Sequence, residues 1–328
     1  MTVEVLEEPT GAALAPTRAA TAAPVDPYST SGRRANGGIR PRRPPLPRPP
    51  VPAGASTGIW ALVTVAALCA WFLIQVLGLS GLEQARAQHL LYGELRQQLA
   101  AQTAPTGGAI EPGAPVAILS IPTLGREQVV VEGTAAGDLL SGPGHRRDTA
   151  LPGQVGVSLV YGRALAYGGP FRSITSLRPG DGIQVTTGQG VFVYRVDGVR
   201  RGGDPMPTAL ATGGSRLTLV TAEGEGVLAA VTPTSAVYVD ATLQGAAVVG
   251  PAGRPGAVPE SEKALQGDLS VLPMLALALQ ALLLSAVGIV LVRRRLPMRV
   301  LWVLAAPVLV ALAWWTTDVL VQLLPNLI

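Results

Sequence analysis

The 328-residue chain holds one cysteine and two histidines, so the side chains that most often carry nucleophilic or metal chemistry are scarce. Cys69 lies inside an uncharged apolar run, away from every polar cluster. A zinc centre needs three or four converging Cys, His or carboxylate ligands, and no such spacing occurs. His145 sits in the turn-rich stretch Gly142-Pro143-Gly144-His145, and His89 in a polar helical stretch. Hydroxyl nucleophiles such as Thr221 or Ser158 need an adjacent base, and neither has a histidine or lysine beside it in the sequence. Asp197 and Asp204, near Gly202-Gly203, could lend oxygens to calcium, but the pattern is that of an ordinary polar loop. Gly188-Gln189-Gly190 reads as a hairpin turn and lacks the lysine and hydroxyl of a phosphate loop. No cofactor or metal is implied.

The elements that must position these residues divide the chain between membrane and β structure. Hydrophobic residues make up 48% of the chain and charged residues 14%, a balance that points to the bilayer. A span needs about 20 apolar residues. Runs at 58–82, 269–292 and 300–322 predict three transmembrane helices, the last interrupted by Asp318 near its end. The first run is longer than a cleaved signal's apolar core and lies behind a long leader, which marks it as a retained helix. Residues 1–57 hold seven arginines and four acids, and the 293–299 loop reads Arg293-Arg294-Arg295-Leu296-Pro297-Met298-Arg299. Basic residues gather on the cytoplasmic side. Residues 83–268 carry fourteen basic and sixteen acidic residues and are therefore expected outside. The net charge of +4 thus reflects topology, and no nucleic-acid partner is implied. The expected setting is a multi-pass cell-membrane protein with a cytoplasmic N-terminus.

Residues 1–57 lack apolar periodicity and are rich in Pro and Arg, which predicts a disordered, polyproline-like cytoplasmic tail. Residues 83–115 predict a stalk helix, with Leu91, Leu95 and Leu99 recurring every fourth residue and Leu90 beside them, followed by a Pro/Gly linker. From 116 to 244 the period shortens. Strands are expected at 116–121, 128–132, 155–161, 183–187, 191–199, 217–221, 227–231 and 236–241. Eight short strands between Gly/Pro/Asp turns predict a closed barrel or sandwich. Residues 245–268 read as a second loose linker back to the membrane.

Several fragments of the β region resemble sortases, thiol transpeptidases that act on proteins at the outer face of Gram-positive membranes. Arg216-Leu217-Thr218-Leu219-Val220-Thr221-Ala222 is similar to their Leu-Thr-Leu-x-Thr-Cys strand. Ala117-Ile118-Leu119-Ser120-Ile121-Pro122 resembles their opening strand. Gly142-Pro143-Gly144-His145 followed by Thr149-Ala150-Leu151-Pro152-Gly153 resembles a loop of class D- and E-like, actinobacterial members. Tyr167-Gly168-Gly169-Pro170-Phe171, Leu177-x-x-Gly180-Asp181 and Tyr194-x-Val196 continue the match in order. The resemblance implies an eight-stranded sortase-like β-barrel, extracytoplasmic, beside three transmembrane helices.

The resemblance also implies a catalytic Cys, His and Arg. A thiolate would attack a sorting signal's backbone carbonyl, a histidine would handle protons, and an arginine would stabilise the oxyanion or position the substrate. The corresponding positions hold Ala222, Gly162 and Ser235, so all three are vacated. Tyr161, Arg163, His145 and Thr221 remain as candidate binding residues. Three function classes stay open. The first is an inactive sortase-like protein that binds or scaffolds a surface protein, a sorting-signal peptide or an active sortase. The second is a transpeptidase or hydrolase with a non-cysteine nucleophile. The third is a structural subunit of a membrane assembly, in which an inward-facing Asp318 would mark a contact.

Overall fold

A computed structural model describes residues 53–224, 233–293, 295 and 297–328. The first helix, α1 (Ala53–Ile74), continues through a wide turn at Gln75–Leu79 into α2 (Ser80–Ala100). Two further helices, α3 (Leu272–Val292) and α4 (Met298–Val321), form a hairpin near the C-terminal end. Three helical stretches, Val65–Ala100, Leu269–Val292 and Met298–Val321, are long and apolar enough to cross a membrane. They correspond to the three runs expected from hydropathy. Their side chains present large apolar surface, as at Leu68, Leu284 and Val303, which water would not tolerate at this extent.

Between the helices lies a closed eight-stranded barrel with strands in the order β1-β2-β3-β4-β7-β8-β6-β5. The strands are β1 (Pro115–Ile121), β2 (Arg126–Glu132), β3 (Gly144–His145), β4 (Gly156–Tyr161), β5 (Gly182–Thr187), β6 (Gly190–Arg200), β7 (Ser215–Glu223) and β8 (Ser235–Leu243). Pairing of β1 with β5 closes the ring and leaves no open sheet edge. Along β6 burial alternates residue by residue, with Phe192, Tyr194 and Val196 inside. This is the period of two expected of a strand with one face on a core. Leu119, Val160, Ile183, Leu217, Leu219 and Val239 fill the interior.

The expected strand at 227–231 lies outside the described residues. The eighth strand of the ring is instead the two-residue β3, which pairs parallel with β2 and antiparallel with β4. Two residues are too few to carry a period, so nothing in the local pattern marks them.

Segments expected as stalk and linker are fastened to the barrel. On α2, Gln88 accepts from the Val129 amide at 2.7 Å and donates to the carbonyls of Val129 and Ser141. Leu95 is fully buried against Val129, with Leu91 and Leu99 alongside, while Leu90 stays exposed. In the 245–268 segment, Arg254 pairs with buried Glu132 at 2.5 Å, and Glu262 pairs with Arg147. Tyr167 of the barrel meets the helix ends. Its amide donates to Ser80 Oγ at 3.0 Å and its hydroxyl to Asp318 Oδ1 at 3.1 Å. The Asp268 amide donates to the Gln322 carbonyl at 2.8 Å. The barrel therefore sits at the end of the three-helix set where α3 begins and α4 finishes.

Asp138 begins a short turn beside this junction, and burial plus the nearby Glu262 carboxylate push its carboxyl up to about 6. An acid held above its free value of 3.8 binds protons more tightly when folded. Its contribution is therefore fully present below the free value and is lost as pH rises towards 6. Asp138→Asn should raise stability at pH 7.5 by about 1–3 kcal/mol and give no gain below about pH 4, as read by thermal unfolding across pH.

Candidate functional site

Three neighbouring strands build the site. β4 and β7 run parallel with Tyr161 level with Val220. On the other side of β7, Ala222 lies opposite Ala236 of β8 and Glu223 opposite Ser235. Just past β4, the Gly162 amide donates to the Val220 carbonyl at 2.9 Å, and the Thr221 hydroxyl donates to the Gly162 carbonyl at 3.0 Å. Gly162, Ala222 and Ser235 thus converge at one end of adjacent strands.

β7 is buried along both faces. Leu217 and Leu219 join the barrel interior, whereas Val220 and Ala222 join a separate outer cluster with Tyr161, Leu139 and Leu327. Ala236 and Tyr238 of β8 flank that cluster. Beside it opens a cavity of about 350 Å³ lined by Leu165, Arg172, Thr175, Ala222, Glu223 and Ile328, among others.

No space remains for a side chain at Gly162. A Cβ built there would collide with the ring of Phe171, which is itself buried in the core. Any larger residue has to displace a packed aromatic ring, and cores resist such overfilling.

The candidate binding residues are turned to internal work. Tyr161 is only 3% exposed, and burial pushes its phenol up. Arg163 is fully buried. It donates to the Ala136 carbonyl at 2.8 Å and the Ile328 carbonyl at 3.3 Å, and lies 5.3 Å from the Tyr167 ring centroid. Burial pushes its guanidinium down to about 10, still protonated at neutral pH. His145 is enclosed as well. Its Nε2 lies 2.8 Å from the Ala150 carbonyl, which can only accept, so Nε2 carries a proton. Its Nδ1 faces Glu132 at 2.9 Å and Arg254 at 3.2 Å.

Thr221 is buried with its proton committed to Gly162. Ser158 has a buried hydroxyl with no partner among the described residues. Asp197 accepts from Thr242 across the β6–β8 pair, and Asp204 accepts from the Arg201 amide within its own turn. His89 is exposed on α2.

Arg172 and Ile328 are the lining residues that the sequence does not announce. Arg172 follows directly on the Tyr167–Phe171 landmark and offers an exposed cation at the cavity wall. Ile328 arrives from the far end of the chain and has no local signal.

Residues 119–233 match the family model of the sortase domain. Among solved structures, sortase E from Streptomyces avermitilis is 30% identical, and the match covers 47% of this chain and 100% of that one at a TM-score of 0.35. The chain belongs to the sortase family. Sortase E1 from Streptomyces coelicolor, solved with a tripeptide in its active site, is 26% identical over 47% of this chain and 99% of that one, with a TM-score of 0.36. A sortase D5 transpeptidase from Clostridium perfringens is 23% identical over 49% of this chain and 99% of that one, with a TM-score of 0.41. No curated protein matches the chain.

The packing at Gly162 has a measurable consequence. Gly162→His should destabilise the barrel by about 1–3 kcal/mol through overpacking against Phe171. Ala222→Cys, a small change at the edge of a cavity, should stay within about 1 kcal/mol of the parent protein. Denaturant unfolding of the two variants side by side reads the difference.

Proposed function

We propose that this sortase-family protein is catalytically inert and uses its barrel to bind or scaffold a partner at the cell surface. The partner would be a surface protein, its sorting-signal segment or an active sortase. The observation that carries this reading is the filled space at Gly162. The positions where the family resemblance implies cysteine, histidine and arginine hold Ala222, Gly162 and Ser235, and Phe171 occupies the volume a histidine would need. Without a thiol at Ala222 there is no thioester, and with no histidine at Gly162 the proton transfer that the family resemblance implies has no group to perform it.

Thr221 and Ser158 do not support a hydroxyl nucleophile. The Thr221 proton is held by a main-chain carbonyl, and no described base contacts Ser158. What remains for the surface is recognition. The cavity beside Ala222 has an apolar floor with Arg172 and Glu223 at its wall, a mix suited to an extended peptide.

Peptides bearing sorting signals should be neither cleaved nor transferred by the full-length protein, and Ala222→Cys alone should leave turnover at background. Cleavage that disappears on Thr221→Val would sink the reading.

The barrel lies on the extracytoplasmic side in this proposal. Support comes from the arginines of 1–57 and of the 293–299 loop, because basic residues gather on the cytoplasmic side. In a Cys69→Ser background on intact cells, Gln244→Cys should react with an impermeant maleimide and Ser31→Cys should not. The reverse pattern inverts the topology.

A further inference from the structure

The segment that follows α4 is held between the 245–268 segment and loops of the barrel. The Gln322 carbonyl accepts from Asp268. Gly267 approaches the Leu323 carbonyl so closely that a Cβ on it would collide with that oxygen. Asn326 is fully buried. Its side-chain amide donates to the carbonyls of Thr134 at 2.8 Å and Lys263 at 3.0 Å, and its main-chain amide donates to Gln266 at 2.9 Å. The Leu327 carbonyl accepts from the Ala164 amide at 2.9 Å, while its side chain is fully buried in the outer cluster with Tyr161, Val220 and Ala222. Ile328 then forms part of the cavity wall beside Ala222.

These contacts have the form of ligand recognition. Main-chain hydrogen bonds hold a backbone that turns at 325–328, a carboxamide is read by two carbonyls, and one aliphatic side chain enters an apolar socket. We infer that residues 323–328 are a resident ligand of the groove, held in cis. A second peptide enters only when this segment leaves. The groove selects a turn in which a carboxamide side chain precedes an aliphatic one. This deepens the binding role proposed above and rests on it for its biological use, although occupancy of the groove can be measured independently.

The bound state also carries the means of its release. Asn326 Oδ1 and Arg163 Nε are buried with no partner among the described residues. An unsatisfied buried polar group opposes its own burial, so both atoms weaken the docked form. Attachment to α4 offsets that weakness, because a tethered segment faces the groove at a high effective concentration. A competitor must therefore exceed the segment in intrinsic fit or in concentration.

The test uses full-length protein in lipid nanodiscs with Cys69→Ser, and reads thiol labelling rates by maleimide. Leu327→Cys should label at least about tenfold more slowly than Gln244→Cys, which is exposed, because local opening must precede reaction. Adding Gly267→Ala, or separately Asn326→Ala, should raise the Leu327→Cys rate to within about threefold of Gln244→Cys by shifting the same opening equilibrium. Circular dichroism of each variant checks that the barrel stays folded. A synthetic peptide with the sequence of residues 322–328 should raise the Leu327→Cys rate in a concentration-dependent way, and the same peptide with leucine in place of its asparagine should not. Labelling of Leu327→Cys as fast as Gln244→Cys overturns the inference, as does indifference to both variants and to the peptide. Slow labelling relieved by the peptide, together with a failure of any surface protein to bind, would overturn the proposed function and leave this inference standing.

Discussion

A strand buried on both faces organises this molecule. Leu217 and Leu219 of β7 belong to the barrel interior, and Val220 and Ala222 belong to a second apolar cluster outside it. Barrels normally leave their outer face to solvent, so an apolar outer face has to be covered at a cost in water contact of about 25 cal/mol per Å² if it is not. The cover here is drawn from distant parts of the chain. Leu139 comes from the turn after β2, Ala264 and Leu265 from the approach to α3, and Leu327 from beyond α4. Joining these segments over one strand brings the membrane helices and the barrel into a single packed body.

The same constraint shapes the packing around Gly162 and Ala222. Interiors are close-packed, and a deleted side chain leaves either a void or an invitation to a neighbour. At Gly162 the Phe171 ring has taken the space. At Ala222 part of the space persists as a cavity with Ile328 on its wall. Arg163, one residue from Gly162, has turned inward to hold Ala136 and Ile328. A larger residue at 162 would therefore have to displace the Phe171 ring as well as fill its own position.

Much of the fold is legible in the sequence, for identifiable reasons. Uncharged runs of twenty residues have few uses other than spanning a bilayer, and three were expected where three suitable helices stand. β6 is rich in β-branched and aromatic residues, Val191-Phe192-Val193-Tyr194, which mark a strand. β3 carries no such signal, and two residues cannot define a period. The stripe of Leu91, Leu95 and Leu99 marks a helix but not its partner, and the glutamines that dock α2 read as a solvated face. Gln88 reaches the backbone of β2 instead. The 245–268 segment looks loose by its Pro and Gly content. Its fastening rests on Arg254–Glu132 and Arg147–Glu262, pairs more than a hundred residues apart. At the site, family resemblance singles out Gly162, Ala222 and Ser235, and the fold brings them together. Arg172 and the 323–328 segment escape notice because their roles come from topology. One clue was present: the run from Leu217 to Ala222 is free of charge, as a strand covered on both faces requires.

The junction around Tyr167 has a mechanical meaning. This one residue bonds to Ser80 at the start of α2 and to Asp318 near the end of α4, and the segment leading into α3 is clasped by Gln322. A domain hung from one flexible linker swings freely, and its working face samples every direction. Here three separate chain crossings fix the barrel's height and heading above the helices. Whatever the groove holds is presented at a constant distance and angle from the bilayer, and a pull on it passes straight into the helices, with no slack to take it up.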